Sequence, residues 1–169
     1  MAETAGNKTA RLFAELHEGE VDLAQHYRRV AERQAADHGT HYPCRSLAQQ
    51  CDEHAARVRE LAPRYGEHLA PPRRSERLDA AVGAVRQKAS ERAGTRPDAG
   101  LLLLRDLREL FLAAQGVHLD WVLLGQVAQA ARDEELLADV SKLHAQTLSQ
   151  VRWIETRVKS AAPQALVAD

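Results

Sequence analysis

The sequence predicts an all-α protein: an antiparallel bundle of four long helices, with an extra helix in the long connector between helices 2 and 3. Two observations predict it. Ala, Leu, Arg, Glu and Gln, all strong helix formers, dominate the 169 residues. In four separate stretches, apolar residues recur at alternating intervals of four and three, the seam of helices packed side by side. The length suits a single domain over residues 1–169 that buries a core without staples.

The first helix is expected from about Thr9 to Ala36, with Leu12, Leu16, Gly19, Leu23, His26 and Val30 as its seam. Asp37-His38-Gly39-Thr40 breaks it, Gly39 suiting the left-handed position past a helix end. The second opens near Tyr42-Pro43, with proline in its first turn, and carries Leu47, Cys51, His54, Val58, Leu61 and Tyr65. Pro63 ends or kinks it near Leu61. These two helices make a hairpin over about 9–65.

Residues 66–99 form the connector, bounded by Pro71-Pro72 and by the run from Thr95 to Gly100. Within it Ser75–Arg92 reads as an amphipathic helix with Leu78, Val82 and Val85 on one edge. Between residues 71 and 99 seven Lys or Arg stand against four Asp or Glu, a local +3 read as a solvated face. A second hairpin spans about 100–160. Its first helix has the stripe Leu107, Leu110, Ala114, Val117, Trp121, Leu124 and Ala128 beside Leu104, Phe111, His118 and Gly125. Asp133-Glu134-Glu135 opens the last helix at its positive end. That helix carries Leu137, Val140, His144, Thr147, Val151, Ile154 and Val158. Ala161-Ala162-Pro163 is expected to end it, leaving 164–169 frayed.

Composition narrows the functional classes. With 23 Lys and Arg against 24 Asp and Glu, the net charge is -1, and no basic face for nucleic acid stands out. No window approaches ~18 consecutive apolar residues and residues 1–13 are too polar for a signal peptide, so the expectation is cytoplasmic, with no membrane partner. Two cysteines exclude a disulfide scaffold, and Cys44 and Cys51 stand ~10 Å apart along a helix, too far to bridge. There is no phosphate loop and no nucleophile elbow, and His17-Glu18-Gly19-Glu20-Val21 lacks the second histidine of a zinc-protease helix.

The chemistry-bearing feature is one histidine on the seam of each long helix: His26, His54, His118 and His144. Counted from the turns, the two in each hairpin should be nearly level. Neutral imidazoles bind transition metals or haem, and carboxylates beside them join or orient the ligands. Glu20, Asp22 and Glu53 are placed for that, completing the candidate metal set. A second cluster, His38, His41 and Cys44 at the first turn, has zinc-like spacing, and Cys44 near a helix start should have a lowered thiol pKa. Cys51 with His54 shares a helix face as a possible thiolate pair, though a buried structural cysteine is the commoner role. Trp121, Trp153 and Tyr27 read as core or interface anchors.

Two helix pairs joined by a long connector resemble the ferritin-like class of helical bundles, and Asp52-Glu53-His54-Ala55 faintly echoes Lys142-Leu143-His144-Ala145. The resemblance implies a crossover between two hairpins. It does not carry over di-iron chemistry, because Cys51 and Ser141 occupy the places of the Glu in Glu-x-x-His. Two functional readings follow. One is a non-catalytic bundle acting by self-association or by holding a protein partner; the other is a bundle that binds a transition metal or haem through its core histidines.

Overall fold

The computed structural model describes residues 2–72 and 98–167, with side chains from Lys8 onward. Its secondary structure is helical throughout: α1 (Ala2–Arg33), α2 (His38–Leu61) followed by a 3-10 turn (Ala62–Tyr65), α3 (Ala99–Ala131) and α4 (Glu134–Leu166). The expected connector helix at Ser75–Arg92 lies outside the described residues. The four helices pack as a bundle, α1 along α2 and α3 along α4, with α1 against α3 and α2 against α4 joining the pairs.

Short polar devices set the helix ends. Asp37 starts α2, accepting from the Gly39 amide at 3.1 Å and the Thr40 hydroxyl at 2.7 Å, so Asp37 caps the next helix and Gly39 is helical, not left-handed. The turn therefore reads as a start signal four residues earlier than Tyr42-Pro43, and Pro43 is accommodated inside α2. Gly66, with φ 82°, closes the 3-10 turn in the left-handed region that glycine enters without steric cost. Asp133 caps α4 through the Leu136 amide at 3.0 Å and also accepts from the Tyr65 hydroxyl at 2.6 Å. That second bond fastens the end of α2 to the start of α4.

Two further boundaries differ from expectation. α1 begins at Ala2, not near Thr9. α4 runs through Pro163 to Leu166 where the sequence signalled a stop. Proline frees the carbonyl one turn back, at Lys159, which is exposed and open to solvent. Packing supports the last turn too: Ala161 is buried, and Ala165 lies directly against Gly100 at the start of α3.

The core forms where the seams meet. In α3 the expected stripe from Leu107 to Ala128 is buried at every position. In α1 the buried seam is instead Phe13, Leu16, Glu20, Leu23, Tyr27 and Val30, again in threes and fours but turned from the expected one. Two rings outweigh Leu12, Gly19 and His26 in the area they remove from water, so the helix rotates to bury Phe13 and Tyr27. That rotation carries Glu20 into the centre.

Candidate functional site

Glu20 is completely buried, and its presence there requires partners. Its Oε1 accepts from Trp121 Nε1 at 2.7 Å and pairs with His54 Nδ1 at 2.9 Å. The opposite ring nitrogen of His54 meets Gln146 Oε1 at 2.8 Å. Gln146 Oε1 can only accept, so Nε2 is placed to donate to it; with Nδ1 facing the Glu20 carboxylate, the arrangement favours the protonated imidazole. Burial by itself pulls the His54 pKa down, but the Glu20 hydrogen bond and charge, helped by Gln146, leave it above its ordinary value. The Trp121 ring stands edge-on to the imidazole at 5.9 Å between centroids. One residue from each helix thus contributes: Glu20, His54, Trp121 and Gln146.

The polar layer extends one turn along α2 and α4. Cys51 donates to Gln150 Oε1 at 3.6 Å, and Gln150 donates to Gln50 at 2.8 Å. Burial pushes the Cys51 thiol far up, so it stays protonated, and the Cys51–His54 thiolate pair does not form. Cys51 is a structural cysteine. Glu53, by contrast, faces outward, accepting from Gln49 at 3.2 Å. It rims a surface cleft of about 240 Å³ over Gln146, with Arg57, Asp139 and Lys142 around it.

The candidate histidines separate into three places. His118 and His144 do meet, at the levels expected of them: Nδ1 and Nε2 are 2.7 Å apart, with the two ring planes 19° apart and their centroids separated by 4.8 Å. Both are half-buried in the groove between α3 and α4. His26 does not join His54. It lies against α3, 3.8 Å from Glu109, in a cleft of about 430 Å³ that Asp22, Arg29, Gly116 and Asp120 also line. Burial, then the charge of Arg29, lowers the His26 pKa. Among the described residues no group of three or more His, Cys, Asp and Glu side chains is gathered that could hold a metal ion.

The first-turn cluster separates as well. His41 Nδ1 is bound to the Ala31 carbonyl at 2.8 Å, while His38 rests edge-on to Tyr42. The Cys44 thiol is pushed up to about 12 by burial, with Asp106 and Asp37 adding to it, against the lowering expected of a helix start. Its burial outweighs the helix dipole.

Residues that the seam reading passed over define the centre. Gln146 and Gln150 lie on the α2-facing side of α4, and Trp121 was read as an apolar anchor although its indole N–H needs an acceptor. A signal for Glu20 was present: it lies seven residues after Phe13 and seven before Tyr27.

Outside the core, α3 presents an apolar ridge. Leu112 is 57 % exposed, Leu119 56 % and Leu123 46 %, and Gly116 is exposed between them. Those positions are spaced four, three and four, a second seam on the side of α3 away from the core. The helix is long and apolar enough to cross a membrane by length and composition, yet only 28 % of its most apolar 18 residues is buried. No protein-family model matches the chain, and no curated protein or solved structure does either.

Proposed function

We propose that this chain is a non-catalytic helical bundle that works by self-association through the exposed ridge of α3. The observation that carries the reading is the row Leu112, Gly116, Leu119, Leu123, a seam in coiled-coil spacing that no described residue covers. A contiguous apolar face of this kind costs solubility unless something covers it. A second copy suits it because the row is self-complementary. Gly116 leaves a gap between the Leu112 and Leu119 knobs, so a two-fold axis near it sets the knobs of each copy into the gap of the other.

The bundle behind that face is, on this reading, antiparallel within each pair and ferritin-like in plan. Contacts at the helix ends support it. Arg33 at the end of α1 binds Asp106 early in α3, and Gly100 abuts Ala165. Arg157 late in α4 reaches Asp37 and Thr40 at the start of α2, whereas Arg64 after α2 reaches Asp133. α2 and α3 then share a direction, the mark of a crossover between two hairpins.

Light scattering across a concentration series tests the function. The wild-type chain is expected as a dimer and Leu119→Arg as a folded monomer with unchanged helical circular dichroism. A wild-type protein that stays monomeric throughout overturns the proposal, as does a monomer that instead cosediments with phosphatidylcholine vesicles.

A further inference from the structure

We propose that His118 and His144 form an open transition-metal site of the class that imidazole serves best, Cu2+ or Ni2+. The inference is independent of self-association, since it needs only one chain. The two rings come from adjacent helices joined by a two-residue turn, Arg132-Asp133, and each turns a nitrogen toward the other at 2.7 Å. Two nitrogens bound to one ion at right angles, each ~2.05 Å from it, stand about 2.9 Å apart. In tetrahedral geometry they stand about 3.4 Å apart. The observed spacing needs a few tenths of an ångström of opening for the first and three times as much for the second, and in either case both rings must turn so that lone pairs now facing one another converge on the ion. By spacing, square-planar or tetragonal ions fit the pair better than Zn2+.

Proton chemistry at the pair is compatible with loading. In the neutral pair one facing nitrogen carries a hydrogen and the other a lone pair. Binding moves that hydrogen to the far nitrogen of the same ring, so both facing nitrogens present lone pairs and no proton is released. Both residues are half-buried in a groove, so the remaining positions around the ion open toward solvent. An ion held there ties α3 to α4 at mid-helix.

Thermal unfolding of the full chain with CuCl2, NiCl2 or MgCl2 tests it, alongside electron paramagnetic resonance of the Cu2+ form. Cu2+ and Ni2+ should raise the unfolding midpoint by about 6–10 °C at a hundredfold excess over Kd, and Mg2+ should not. The Cu2+ spectrum should carry hyperfine splitting from two nitrogens. The double variant His118→Gln/His144→Gln, checked for its circular dichroism, should lose both signals, while His38→Gln keeps them. A wild-type midpoint unmoved by Cu2+ and Ni2+ overturns the site, as does a double variant that retains the shift.

Discussion

Glu20 shows how one carboxylate can be fixed in an apolar centre and still leave an atom unanswered. Its Oε1 holds two partners, whereas among the described residues Oε2 has none, and neither has the buried Tyr27 hydroxyl. A buried polar group without a hydrogen bond costs about 1–3 kcal/mol, so removing the hydroxyl alone should not weaken the fold. Tyr27→Phe is expected to leave stability unchanged or raise it by up to about 1 kcal/mol in urea unfolding. A loss larger than that would mean the hydroxyl is bound, to an enclosed water for instance. The His54–Glu20 pair makes a second prediction. Because the folded pKa of His54 lies above its ordinary 6.5, the native state keeps a proton that the unfolded chain sheds. Its stabilisation is complete below pH 6.5 and is lost as pH rises through the folded value. His17, His26 and His144 are lowered and act in the opposite sense on the acid side. Glu20→Gln separates the two: it should cost about 3–5 kcal/mol near pH 6, and its stability should no longer decline with rising pH. Equal losses at pH 6 and pH 9 would sink the ion pair as the cause.

At the scale of the helix, two glycines of α3 should answer the same substitution in opposite ways. Alanine normally improves a helix over glycine by about 0.5–1 kcal/mol. At Gly116 an added Cβ meets nothing within 4 Å, so Gly116→Ala should gain about that much in thermal or denaturant unfolding of the monomeric Leu119→Arg background. At Gly100 the added carbon would stand 2.8 Å from the Ala165 side chain and 3.1 Å from its backbone. Overpacking of that kind costs about 1–3 kcal/mol, more than propensity returns, so Gly100→Ala should destabilise. If both variants gain stability, α4 does not extend over the start of α3 and its last turn is not held. The same element scale shows what was legible. The α3 stripe could be read residue by residue because apolar residues occupied it without a break. The α1 seam could not, because Leu12, Gly19 and His26 offered the same spacing as Phe13, Glu20 and Tyr27. A charged residue argues for the exposed face until its partners on other helices are known.

For the molecule as a whole, the charge-bearing groups divide between fastening the bundle ends and satisfying its centre. Arg33–Asp106, Arg157–Asp37 and Arg64–Asp133 join helices distant in sequence near the bundle ends, and Glu20 with His54 joins them at mid-depth. The exposed ridge of α3 and the His118–His144 groove stand outside this arrangement. The sequence by itself determined the helical class, the number of long helices, the turns at Asp37 and Asp133, and the level of His118 with His144. Those follow from periodicity, capping chemistry and helical rise, all local along the chain. Only the tertiary structure decided which face of α1 turned inward, that His54 met a carboxylate and not a second histidine, and that no described residue covers one side of α3. Such choices compare burial summed over several helices at once, and no single stretch of residues contains that sum.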